Sequence, residues 1–165
     1  RDGLFMTHHT PSQIFFCDPG IGDRRSLELD AFEQAFLCIA RHFFETHDSP
    51  DSQCWMQGFM AAEQRFPPPF GATIAHAISL AVSALAGRSG SFAYYRTDHA
   101  LADHAITREE QYLLQVLRGL RSGESGNLQT TAMLLCCGSD TRPFLAAMER
   151  LCLITGDVTE LRYQS

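Results

Sequence analysis

The sequence predicts an all-α protein: a compact single-domain bundle of about six helices with a loop-rich N-terminus and a C-terminal three-helix unit. Three observations predict it. Large apolar residues return every three or four positions through most of the chain after Leu27, the spacing that gathers them on one helix face. Capping and stop signals bracket those runs, most plainly at Thr107-Arg108-Glu109-Glu110. One uncharged, Ala-rich run from Phe70 to Gly87 has the composition of a helix enclosed by others. The 165 residues are 45% hydrophobic and 19% charged, enough for one core without disulfides or metal, so disorder is not the default.

Residues 1–22 read as an irregular N-terminal arm. Ile14-Phe15-Phe16-Cys17 is a short apolar run between Pro11 and the turn signal Asp18-Pro19-Gly20. A run that short fits a strand or an arm laid across the helices.

Residues 23–87 carry the N-terminal helices. Leu29, Phe32, Phe36, Ile39, Ala40 and Phe43 share a face that Leu37 and Phe44 broaden. Asp23 or Ser26 is the expected cap, and the helix should end near His47. Ser49 as N-cap and Pro50 in the first turn then open a second helix, with Trp55, Met56, Phe59 and Met60 as its buried side. Phe66-Pro67-Pro68-Pro69-Phe70 ends it, because three prolines favour an extended polyproline II segment. The uncharged run that follows is long enough to raise the question of a membrane span. Yet Ala, Ser, Gly and Thr dominate it, His76 stands in its middle, and neither flank carries an aromatic belt or clustered basic residues. It is read as a buried central helix. Ala77, Ala81 and Ala84 would let neighbours approach closely, and His76 would be a satisfied core histidine.

Arg88-Ser89-Gly90-Ser91 is a flexible connection and the one candidate boundary between the halves. After it, Phe92-Ala93-Tyr94-Tyr95 forms an aromatic patch, and residues 91–165 make the C-terminal unit. Thr107 and Glu110 form a capping box for the next helix, with the stripe Leu113, Val116, Leu117 and Leu120 and a stop at Gly123. Leu128, Thr131, Ala132 and Leu135, widened by Met133 and Leu134, make another stripe that stops at Gly138. Asp140 or Thr141 caps the last helix, where Pro143 is tolerable in the first turn. Its stripe is Phe144, Leu145, Met148, Leu151 and Cys152. The three apolar faces should pack on one another.

Net charge is −6, and every one of the thirteen basic residues is Arg. An acidic balance ranks non-specific nucleic-acid binding low, since that depends on neutralising phosphates. The six cysteines, at positions 17, 38, 54, 136, 137 and 152, include no C-x-x-C pair. They read as reduced thiols used as small hydrophobes in a cytoplasmic protein. No signal-peptide architecture opens the sequence, which begins on Arg1 rather than Met.

Two constellations could carry chemistry. Asp98, His99, Asp103 and His104 are ligand types for zinc or another divalent metal. On a helix, however, two histidines five apart point about 140° away from each other. The same spacing separates His42 from His47. Leu128–Cys137 and Thr141–Ile154 have the outline of a helix-turn-helix, and residues 156–163 would be a wing. Arg142 and Arg150 would be its DNA contacts. Its Gly138 falls six residues after Ala132, out of the usual register, and Glu149 sits beside Arg150.

Catalysis finds little support. The chain has no Gly-rich phosphate loop, no G-x-S-x-G and no H-E-x-x-H. Cys136 and Cys137 sit near a helix C-terminus, whose dipole disfavours a thiolate. The expectation from twelve Phe, with Trp55, Tyr94 and Tyr95, is that they exceed what one small core holds and leave a patch for a partner or an apolar ligand, against the reading that helices of this size need that many inside. The expectation is a non-catalytic interaction or regulatory protein without a cofactor or a membrane, self-associating as a homodimer or binding another protein. Metal binding at Asp98–His104 and DNA binding at 128–154 are the alternatives.

Overall fold

The computed structural model describes residues 28–88, 90–99, 102 and 105–163, and every regular element among them is a helix. Asp30 opens α1 (Ala31–Asp48). Its carboxylate accepts from the Glu33 N–H at 2.8 Å, and the Glu33 carboxylate accepts from the Asp30 N–H at 3.1 Å. The expected cap at Asp23 or Ser26 is therefore replaced by Asp30, whose carboxylate and Glu33 satisfy two orphan donors reciprocally. Both earlier candidates lie outside the described residues.

The second helix starts later than its sequence suggests. Ser49 closes α1, its N–H donating to Glu45 O at 2.8 Å, and its own carbonyl accepts from the Ser52 N–H at 2.9 Å. No helix starts at Pro50 for Ser49 to cap: the chain turns through Ser52, and α2 begins only at Cys54 (Cys54–Arg65), with Gln53 at its cap position. The three prolines likewise make a turn rather than an extended segment. The Phe70 N–H donates to Pro67 O at 2.9 Å, and the Pro68–Pro69 peptide is cis.

The chain then enters α3 (Phe70–Ala86), which packs against α1, α2 and, most extensively, α6. Ile74, Ala75, Ile78, Val82 and Leu85 are buried on it. The expected central position holds, but enclosure is not complete: Thr73, His76, Leu80 and Ser83 face out. His76 is thus an exposed residue rather than a core histidine. No helix among the described residues is long and apolar enough to cross a membrane.

The connection after α3 ties the halves together. Arg88 is buried and donates to the carbonyls of Leu135 and Ser91 and to Cys137 Sγ. Its charge therefore serves the carbonyl end of α5, where a helix lacks donors. Phe92 stacks on Phe44 with ring centroids 4.2 Å apart, and the Tyr94 hydroxyl donates to Asp48 at 2.6 Å. The aromatic patch is consequently spent largely on covering α1.

The C-terminal helices are α4 (Arg108–Ser122), α5 (Leu128–Leu135) and α6 (Arg142–Tyr163). The Thr107 hydroxyl accepts from the Glu110 N–H at 3.1 Å, and the Glu110 carboxylate accepts from the Thr107 N–H at 2.8 Å. Gly123 takes the left-handed conformation at φ 74° that ends α4, a geometry glycine adopts without a Cβ penalty. Leu113, Leu114, Val116, Leu117, Leu135, Phe144, Met148 and Leu151 join the residues of α1 and α3 in one core. Each fully buried Leu or Phe there contributes about 1.5–3 kcal/mol. The trio is not self-contained: α5 and α6 both touch α4, but the main partner of α6 is α3. Met133 and Leu134, expected to widen the α5 stripe, are exposed, because α5 buries one narrow side through Thr131, Ala132 and Leu135.

Candidate functional site

Exposed large apolar side chains stand on α2, α3, α5 and α6, and α2 carries the largest share. Its buried residues are Gly58 and Ala62, both small and four apart, so they fall on one face. A Cβ on Gly58 would lie 3.0 Å from the Phe43 ring, which shows how closely α1 and α2 approach. The large residues expected to be buried stand elsewhere. Trp55 is 49% exposed, Met56 40% and Met60 53%, while Phe59 alone of that group is partly buried against the core. Met56 and Met60 are one turn apart on the side opposite Gly58 and Ala62, and Trp55, in register with that small pair, is exposed at the first turn of the helix. The small pair Gly58 and Ala62 was the available signal. Size had pointed to the wrong side.

Trp55 also changes the reading of the aromatic load. Phe36, Phe43, Phe44, Phe92 and Phe144 are buried, Tyr94 and Tyr95 are half-buried, and Trp55 is the exposed ring among the described side chains. Most of the aromatic content is therefore core, and the surplus is concentrated on α2.

The Asp98–His104 segment is only partly described. Asp98 pairs with Arg96 at 3.2 Å on the surface, and that guanidinium holds its carboxyl below the ordinary value. The His99 ring lies 5.6 Å from Tyr95. Asp103 and His104 lie outside the described residues. Among those described, no three His, Cys, Asp or Glu side chains are grouped as a metal would require.

The second constellation does form a helix, a turn and a helix. Gly138 takes φ 77° in the turn after α5. Arg142 is exposed and fastened to Asp140 by contacts of 2.8–3.1 Å, and Arg150 is exposed one face further along α6. The expected wing does not form, because residues 156–163 continue α6 to Tyr163. No proline interrupts this stretch, and Gly156, its poorest helix former, costs about 1 kcal/mol. The neighbouring Cys136 is buried, and burial pushes its thiol up.

The best-organised polar site is structural. Arg41 of α1 makes a bidentate pair with Glu110 of α4, at 2.7 and 3.1 Å, and also donates to the carbonyls of Ala102 and Ala105. Both partners are buried. Arg41 was not legible as special, since it stands in an otherwise apolar stretch without a motif around it.

These features define an all-α bundle whose largest group of exposed apolar side chains lies on α2. No family model, curated protein or solved structure matches the chain.

Proposed function

We propose that the chain is a small non-catalytic interaction protein that pairs with a second copy of itself through the outward surface of α2. The observation that carries this reading is the exposure of Trp55, Met56 and Met60 on a helix whose buried side is made of Gly58 and Ala62. Trp is enriched among residues that dominate binding energy, and Met adapts to irregular partner surfaces. A symmetric pair is the commonest way for one chain to cover its own patch. The described cysteines, Cys38, Cys54, Cys136, Cys137 and Cys152, are free thiols, which supports a reducing compartment such as the cytoplasm.

Light scattering across a concentration series tests the reading. The mass should rise from 18.4 kDa towards twice that value, and emission from Trp55, the one tryptophan, should shift to the blue in step. Met60→Glu should restore the monomer, and Trp55→Ala should weaken pairing by roughly thirtyfold, as for a hot-spot residue. A monomeric mass at every concentration would end the proposal.

A further inference from the structure

We propose that Cys137 is a site of peroxide oxidation whose sulfinate supplies the counter-charge that the buried Arg88 guanidinium lacks. Arg88 follows α3 and is only 8% exposed. Its Nη1 donates to Leu135 O and to Cys137 Sγ, the latter at 3.3 Å, and its Nη2 donates to Ser91 O at 2.7 Å. The Phe92 ring lies 5.3 Å away, and Nε is buried without any hydrogen-bond partner. None of these neighbours carries a full negative charge. Among the described residues no carboxylate forms an ion pair with Arg88. Asp140, close by in sequence to Cys137, is engaged by Arg142 at 2.8–3.1 Å. Buried charges are normally paired, and an arginine cannot escape the cost by losing its proton. A buried cation with an unused donor is therefore half of an anion site, and Cys137 is where that site meets solvent.

Cys137 is exposed, whereas Cys136 is buried and Cys38, Cys54 and Cys152 are half-buried. Thiol oxidation follows exposure as well as electronic character, so an oxidant meets Cys137 first. The carbonyl end of α5 carries about half a negative charge, which opposes an anion at this position. Arg88 brings a whole positive charge into contact with the same sulfur and outweighs it.

The oxidant is a hydroperoxide. Cys137 Sγ attacks one peroxide oxygen, an S–O bond forms and the O–O bond breaks. The departing oxygen takes up the thiol proton and, from hydrogen peroxide, leaves as water. Sulfur is oxidised by two electrons, the peroxide is reduced by two, and the product is a sulfenic acid. A second peroxide repeats the step to give the sulfinic acid, which releases its proton at neutral pH and pairs with Arg88. This chemistry is independent of whether the chain pairs through α2.

Hydrogen peroxide is the probe, with peptide mass spectrometry and thermal melting of the full chain as readouts. Cys137 should gain two oxygens before the other described cysteines gain any. Peroxide should raise the melting temperature of the wild type by about 2–4 °C relative to its effect on Cys137→Ser. That comparison subtracts oxidation of the exposed Met56, Met60 and Met133. Cys137→Asp, which places a carboxylate beside Arg88 without any oxidant, should melt above Cys137→Asn by a similar margin. Cys137 has φ 50°, a left-handed geometry that Asp and Asn both tolerate, so the two variants differ in charge rather than in backbone fit. Oxygen added to another cysteine with Cys137 still reduced would overturn the proposal. So would a Cys137→Asp chain that melts no higher than Cys137→Asn.

Discussion

Glu110 shows how much one residue does in this protein. From its neighbours alone it is the far end of a capping box, and that role is present. The same carboxylate also holds Arg41 across the core and accepts from the Tyr95 N–H at 3.3 Å. Removing one partner of a buried pair leaves the other charge without compensation, which costs about 3–5 kcal/mol. Glu110→Ala should therefore lower the unfolding free energy measured in urea by about that amount, far more than the ~1 kcal/mol of a lost cap alone. A loss no larger than the cap term would show that Arg41 finds other partners. Glu33 is a second case. Hydrogen bonds from Arg118, at 2.6 and 2.8 Å, and from the Asp30 N–H hold its carboxyl below the ordinary value. A carboxyl depressed in the folded state adds stability that is present above its unfolded value and is lost as pH falls through its folded one. The melting temperature should accordingly be insensitive to pH near neutrality, with the Glu33 contribution fully present, and should fall away below pH 4.5. Glu33→Gln should remove part of that acid limb; an unchanged limb would assign it to other carboxyls.

At the level of helices, α2 is the instructive one. Its pattern contains large residues on several sides, so hydrophobicity alone could not say which side faces inward. Close approach decided it: α1 and α3 come so near that only Gly58 and Ala62 fit between them, and Trp55, Met56 and Met60 are left outside. The contact with α3 is tighter still. A Cβ on Gly71 would lie 2.7 Å from the Glu63 Cα, a backbone atom that cannot swing aside. Gly71→Ala ought to gain helix propensity, at most about 1 kcal/mol. Overpacking should outweigh that and lower the urea midpoint by the equivalent of about 1–3 kcal/mol. Gly58→Ala should cost less, because its obstacle is the Phe43 ring, a side chain with some freedom to shift. If Gly71→Ala proves the more stable protein, α2 and α3 stand further apart than a 2.7 Å approach to the Glu63 Cα allows. The capping boxes of α1 and α4 are local devices in which side chain and backbone meet within four residues. One was read correctly from its residues and the other misplaced by several positions, since Asp23, Ser26 and Asp30 are all acceptable caps.

Across the whole molecule, the halves joined by Arg88-Ser89-Gly90-Ser91 share one core. Arg88 reaches Leu135 and Cys137, Arg118 reaches Glu33, Arg121 reaches Asp30 at 2.8 Å, and α6 lies along α3. A net charge of −6 surrounds this body, and like charge opposes the approach of a second copy. Salt screens that repulsion while leaving the apolar attraction of Trp55, Met56 and Met60 intact. Pairing measured by light scattering should therefore strengthen as ionic strength rises from about 0.01 M to 0.15 M, where the screening length falls from about 30 Å to 8 Å. Dissociation under added salt would instead assign the contact to ion pairs.

The sequence by itself determined that the chain is helical, where α4 begins and ends, and that the Phe70–Gly87 run is a central rod. Those properties depend on spacing and on residues within a turn of one another, so they are written locally. Which side of α2 is buried, that Arg41 and Glu110 meet across 69 positions, and that α6 lies on α3 were decided only by the tertiary structure. Such choices turn on the width of the gap between helices distant in sequence, and no local pattern carries that distance.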